Sequence, residues 1–366
     1  MKANTAALAL ALSTLSFILA SPSLQAAPTQ NGVAITQSGK PRKWKTLPVS
    51  VCTTPGLPEV ARAALEKASQ AWNRDIGFKV FKVGCEVDSN ELNQANLTGP
   101  AVYWVKSGFG SSGDPLALAR TLSSFDDTSG EMVDADILLN AEAFDWSKID
   151  VDLESVLIHE LGHTLGLQHL YPSISSVMNQ YPYQSGIKRV VLDRYERLAV
   201  ERLYGKSKKA FPIHFDLYFG KSTARARKEL RRSGRRTADD FYMDAVLSME
   251  LKEFKEAERS LNRAVKLNSA EPLIVYRLFE VFQAQGKTLE SRKVLLKLTH
   301  EWPKFYESLV ELALIKIEKK EFTEATSLLE RVIEINPVHY PACMLLKQIT
   351  QKSTYDACIS RFAPKE

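Results

Sequence analysis

Residues 151–169 read VDLESVLIHELGHTLGLQH, and the eleven residues from His159 to His169 decide how the surrounding chain must fold. His159 and His163 are four apart, so on an α-helix their side chains share one face and can reach the same metal ion. Glu160 follows the first histidine and projects to the side, where a general base for an attacking water is needed. Gly166 permits a left-handed turn that ends the helix, and His169 then returns as a third ligand. Three imidazoles leave one tetrahedral position open, the arrangement of a catalytic zinc rather than a closed structural one. Three of the six histidines of the chain fall in this stretch, which argues against ordinary core histidines. Asp150 or Asp152 is suited to cap the helix at its start.

Working outward, strand and helix signals alternate between residues 44 and 205. LPVSV (47–51), FKVFKV (78–83), AVYWV (101–105) and MVDADILLN (132–140) read as strands. Pro58 to Ile76 carries apolar residues at helical spacing, with Pro58 in the first turn. A further helix covers Leu192 to Tyr204 and stops at Gly205. The mixture predicts an α+β domain over 44–205, preceded by a short segment, 28–43.

At 366 residues the chain is long enough for two domains. An apolar fraction of 45% with 25% charged residues describes an ordinary globular protein. The net charge of +5 gives no reason to expect nucleic acid. Residues 1–27 have the three parts of a secretory signal: Lys2, the apolar run Ala6–Ala20, and small residues at Ser23, Ala26 and Ala27. Export to the periplasm or beyond is therefore expected, with no membrane span in the mature chain. Export permits disulfides among Cys52, Cys85, Cys343 and Cys358. Of the three connectivities, pairing within each half is the simplest. Closing the 343–358 loop would contribute ~3 kcal/mol in the chain-entropy view. No C-x-x-C spacing supports a zinc–thiolate site.

Beyond Gly205 the character changes. Residues 206–237 are densely basic, with KSTARARKELRRSGRR at 221–236 reading as a linker or an exposed helix. From residue 238 to 366 the chain repeats every 34 residues. Ser269, Pro303 and Pro337 are in step, as are Ala257, Ser291 and Ala325, and Leu261, Leu295 and Leu329. Phe254 and Phe322 match with Thr288 between them, and Ala264, Leu298 and Val332 hold another small or apolar position. This period of paired amphipathic helices resembles the tetratricopeptide repeat, with residues 339–350 as a capping helix. The resemblance implies an all-α solenoid whose concave face holds a peptide or protein partner.

The pattern HExxHxxGxxH followed by SSVMNQYPY resembles the metzincin metalloproteases, with Met178 as the methionine of the turn beneath the metal. PRKWKTLPVSV, MVDADILLN, DLESVLIHELGHTLGLQH and LDRYERLAVERLYG are similar to segments of the matrixin branch, bacterial members included. The resemblance spans roughly Trp44 to Gly205. It implies a twisted mixed sheet with a few helices, one catalytic zinc, and a substrate lying extended along MVDADILLN as an edge strand. Tyr181, Pro182 and Tyr183 would wall the pocket beyond the scissile bond. No PRCGxPD segment is present, so a cysteine switch is not expected. No histidine lies between Pro28 and Ile158, so a second, histidine-based zinc is not expected either. Asp126, Asp127, Asp134 and Asp136 are candidate calcium ligands. The function implied is an exported zinc-dependent endopeptidase with repeats that recruit substrate or partner. A peptide-binding adaptor without activity and a metal-dependent hydrolase of a non-peptide amide or ester are the alternatives. Intact His159, Glu160, His163 and His169 favour the protease, because a scaffold has no need of the general base.

Overall fold

A computed structural model describes residues 29–30, 32–87, 99–112, 114, 117–149, 151–170, 172–179, 188–356 and 358–359. The signal segment and Tyr181, Pro182 and Tyr183 lie outside the described residues.

The first half is built on a five-stranded sheet. A two-residue pair, β1 (Thr29–Gln30) and β2 (Val33–Ala34), precedes β3 (Val49–Thr53), helix α1 (Glu59–Ile76), β4 (Phe81–Glu86), β5 (Ala101–Val105), β6 (Ala119–Phe125) and β7 (Met132–Asn140). The spatial order is β4-β3-β5-β7-β6, parallel throughout except for β6, which runs antiparallel to β7. The expected mixed sheet is therefore present. MVDADILLN, however, is not the edge: it is β7, hydrogen-bonded on both sides, and the edge is ARTLSSF, a strand the sequence pattern did not announce. β6 is half-exposed along nearly its whole length, so neither face carries the apolar alternation that marks a strand.

Helix α1 buries Ala61, Leu65, Ala68, Trp72 and Ile76 at spacings of three and four. This stripe packs against helix α2 (Leu153–Thr164), and Trp72 Nε1 donates to the Ile158 carbonyl at 2.9 Å. Asp152 caps α2 by accepting from the Ser155 backbone N–H at 2.8 Å. Helix α3 (Arg194–Leu203) begins with a capping box formed by Asp193 and Glu196. A disulfide joins Cys52 on β3 to Cys85 on β4, and a second joins Cys343 to Cys358.

Residues 206–237, expected as a linker or an exposed helix, are helical in two places. They fold into α4 (Ile213–Phe219) and α5 (Thr223–Ser233), which share one apolar core with the sheet domain and the first repeat. Phe211, Phe215, Ala226 and Leu230 are buried there. Arg231 of α5 and Arg235 just beyond it find an acid inside the molecule: both pair with the fully buried Asp244.

The repeats follow as three helical hairpins: α6 (Ala238–Glu250) with α7 (Phe254–Leu267), α8 (Pro272–Ala284) with α9 (Thr288–Glu301), and α10 (Tyr306–Glu318) with α11 (Phe322–Ile335). Helix α12 (Tyr340–Thr350) closes the array. Phe254, Thr288 and Phe322 each open the second helix of a hairpin. Ala257, Ser291 and Ala325 are buried where the paired helices meet. The turn inside each hairpin uses a left-handed residue at the same 34-residue interval: Lys252 (φ 58), Gly286 (φ 70) and Lys320 (φ 63).

The array touches the sheet domain at both of its ends. At the near end Asp239 of α6 and Glu271, which caps α8, meet Ser173–Ser175 and Arg189. At the far end Val338 packs with Phe144 and Ile149, and Tyr340 and Cys358 lie against the same cluster. Among the described residues no helix is long and apolar enough to cross a membrane.

Candidate metal centre

Helix α2 carries His159, Glu160 and His163, and the chain leaves it through Gly166. That glycine has φ +91, and a Cβ there would lie 2.3 Å from the Arg42 carbonyl oxygen. Its own carbonyl accepts from the Ala34 backbone N–H at 2.8 Å. Gly32, Ala34 and Arg42 thus pack against the turn that returns His169 to the site.

The three imidazoles converge. Their ring centroids are 4.8, 4.9 and 5.2 Å apart, and one ligand atom from each lies within 4.8 Å of the others. His159 Nδ1 donates to the Val177 carbonyl at 2.7 Å, and His163 Nδ1 donates to the Leu167 carbonyl at 2.9 Å. A carbonyl only accepts, so in each neutral ring the proton sits on Nδ1 and the lone pair on Nε2. Those two Nε2 atoms face each other at 3.1 Å. Two lone pairs so placed repel unless a cation lies between them, and the backbone carbonyls are the outer partners that orient metal-bound histidines. Burial, with the charges of the neighbouring histidines, holds His159 well below the ordinary imidazole value. Burial likewise lowers His169 to about 3. Both therefore stay neutral, as ligands must be. The donor set fits zinc.

Glu160 is buried beside them. Its Oε2 accepts from Thr121 Oγ1 on the edge strand at 2.6 Å. Burial pushes the carboxyl above its ordinary value, against the opposing pull of His163, Thr121 and Arg120. Met178 lies fully buried beneath α2, and a Cβ on Gly162 would be 2.2 Å from its sulfur. Glu196 on α3 holds this turn by accepting from Ser176 Oγ and from the Met178 backbone N–H. Thr121, Gly162 and Glu196 were not singled out by the sequence motif, because their contacts are made across elements.

The candidate calcium ligands do not gather. Asp126 accepts from Ser129, Asp127 from the Gln37 backbone, Asp134 from Ala135 and Asp136 from Ala101. Among the described residues the only group of three or more metal-ligating side chains is the histidine set.

A sequence model of the matrixin family matches residues 59–205. The chain carries a matrixin domain. A tetratricopeptide-repeat model matches residues 306–339. Matrix metalloproteinase-21 of Cynops pyrrhogaster is 32% identical over 145 residues, which is 37% of this chain and 22% of that protein. Karilysin of Tannerella forsythia is 49% identical over 55 residues, 15% of this chain and 11% of its own length. The chain thus aligns with well under a third of either relative. The solved structure of Pseudomonas aeruginosa pilF is similar to 42% of this chain and covers 75% of its own, with a TM-score of 0.36 and 16% identity. Matrixins are zinc-dependent metalloproteases, and the matrixin domain of this chain places its three histidines and Glu160 on α2 and the turn that follows it.

Proposed function

We propose that this protein is an exported zinc-dependent endopeptidase in which His159, His163 and His169 hold the metal and Glu160 is the general base. One observation carries the reading: the Nε2 atoms of His159 and His163 face each other at 3.1 Å, with His169 close by and the buried carboxyl of Glu160 beside them. When bound, zinc would supply Lewis acidity, acidifying the attacking water and stabilising charge on the scissile carbonyl oxygen.

The chain's own residues do the rest. Glu160 takes the proton of the attacking water and delivers it to the leaving amine. Thr121 fixes one carboxylate oxygen by its hydrogen bond and leaves the other for the proton. The Val177 carbonyl holds the His159 ring, and Met178 packs on α2 at Gly162. Among the described residues β6 is paired on one side only, so substrate adds as a strand along Ala119–Phe125 rather than along β7. That mode takes affinity from main chain on both sides of the cut, which suits cleavage within a peptide. The N-terminal segment of residues 1–27 supports export, and the repeats offer a surface for protein partners.

The deciding experiment compares mature protein with its Glu160→Ala variant on an unstructured protein substrate, with and without chelator, while bound zinc is quantified. Cleavage by the parent alone, lost on chelation, with zinc retained in the variant, is the expected result. A folded parent that takes up no zinc would overturn the reading.

A further inference from the structure

The first repeat hairpin reaches into the turn beneath the metal centre. Asp239, the second residue of α6, is buried, and its carboxylate accepts from the Ile174 backbone N–H at 2.6 Å, the Ser175 backbone N–H at 3.3 Å and Ser173 Oγ at 3.0 Å. Ile174 is held from its other side too. Its carbonyl accepts from Arg189 Nε at 3.0 Å, and the charge of Arg189 is matched at 3.2 Å by Glu271, the residue that caps α8 just after the first hairpin, both side chains buried. The Ile174 side chain is itself part of the apolar core of the repeats, in one cluster with Phe241, Tyr242 and Ala245.

These contacts lead to the metal ligands in a few steps. The turn is closed on itself by the Asn179 side chain donating to the Ser173 carbonyl and by the Leu170 N–H donating to the Met178 carbonyl at 2.8 Å. Three residues beyond Ile174, the Val177 carbonyl sets the ring of His159. We propose that Asp239 and Glu271 are positioning residues: through Ile174 they fix the turn of residues 173–179, and through Val177 they fix the His159 imidazole, so that the first repeat is a working part of the metal centre. The metal side of this inference rests on the function proposed above. The placement of the turn does not.

The test uses the full chain. Asp239→Ala removes both carboxylate oxygens that accept from Ile174, Ser175 and Ser173, Asp239→Asn removes the charge and one of the two acceptors, and Asp240→Asn serves as control. Asp240 pairs with Arg194 and Tyr195 across the same interface but does not touch the turn. Hydrogen exchange at residues 173–179 is measured without metal, and release of cobalt is followed by its visible spectrum. We expect both Asp239 variants to exchange at least tenfold faster there, to release cobalt about tenfold faster and to show shifted bands, with Asp240→Asn within twofold of the parent. Unchanged exchange in a folded Asp239→Ala or Asp239→Asn protein overturns the proposal, as do equal effects at Asp239 and Asp240, which would mark a merely structural interface. Should neither Asp239 variant fold, Ser173→Ala removes one donor only and is expected to show a threefold effect in both readouts. No effect there counts against the proposal. If the parent binds no cobalt, the zinc reading has failed, and the exchange comparison alone decides the placement of the turn.

Discussion

Gly162 and Met178 occupy one another's space: a Cβ on the glycine would meet the methionine sulfur at 2.2 Å and Trp72 at 3.1 Å. The methionine therefore packs directly on the backbone of α2, between the turns that carry His159 and His163. It supports the helix at the point where a side chain is absent.

Gly162→Ala should accordingly destabilise the protein despite better helix propensity. Overpacking of a buried site costs about 1–3 kcal/mol, and alanine returns about 1 kcal/mol of propensity. A net loss of ~1 kcal/mol with weakened zinc retention is expected from thermal unfolding and metal analysis. Adding Met178→Ala should recover part of it. An alanine variant with parental stability and full zinc would contradict the contact.

Thr121→Val keeps the shape of the edge strand and removes the 2.6 Å hydrogen bond to Glu160. A hydrogen bond to a charged group contributes roughly 1.5–3 kcal/mol, so kcat is expected to fall about tenfold or more while KM changes little. Steady-state kinetics on a peptide substrate checks this, and a loss confined to KM would place Thr121 in binding instead.

Asp244 ties α5 to the first hairpin. Burial pushes its carboxyl up, but hydrogen bonds from Arg231 and Ser260, with the charges of Arg235 and Arg231, leave it below the ordinary carboxylate value. Removing one partner of a buried pair costs about 3–5 kcal/mol. The two arginines are partly exposed, so Asp244→Ala should cost ~3 kcal/mol in urea unfolding. A change below ~1 kcal/mol would show that the arginines are satisfied by water.

The inner helices of the repeats predict a pH dependence. Burial, then the charge of Glu280, raises Glu311 to about 7, and burial raises the adjacent Glu307 to about 7. Tyr276 donates to Glu311, and Arg277 pairs with Glu280 nearby. A carboxyl whose folded pKa lies above its unfolded value binds protons more tightly when folded. Its contribution is full below the unfolded value of about 4.5 and is lost as pH rises through about 7. These two carboxyls should therefore lower the unfolding temperature between pH 5 and 8, and Glu311→Gln should flatten their share of that slope. An unchanged slope would remove Glu311 as its source.

The metal centre was legible because its ligands are local. Spacings of four and six residues set His159, His163 and His169, and Gly166 announces its own left-handed turn. The repeats were legible for a similar reason, since Ala257, Ser291 and Ala325 recur in step. What stayed hidden is carried by long-range contacts. Strand β6 has no apolar alternation because it is half-exposed along its length, so the pattern points to its neighbour β7 as the edge instead. Arg231 and Arg235 read as part of a linker or an exposed helix, since their partner Asp244 lies in the next helix and is met only on folding. Nothing near Asp239 in sequence indicates that it would accept hydrogen bonds from a turn some 65 residues earlier.

Attachment at both ends of the array also bears on what a broken chain would do. A cut near Ser207 or Lys208, in the exposed stretch before Phe211, would sever the only covalent link without touching either docking site or the shared core. The two fragments should remain together as a heterodimer, and separately produced halves should complement one another. One sheet domain could then not be exchanged for another on these repeats without also carrying over Ile174 and Arg189 on one flank and Phe144 and Ile149 on the other.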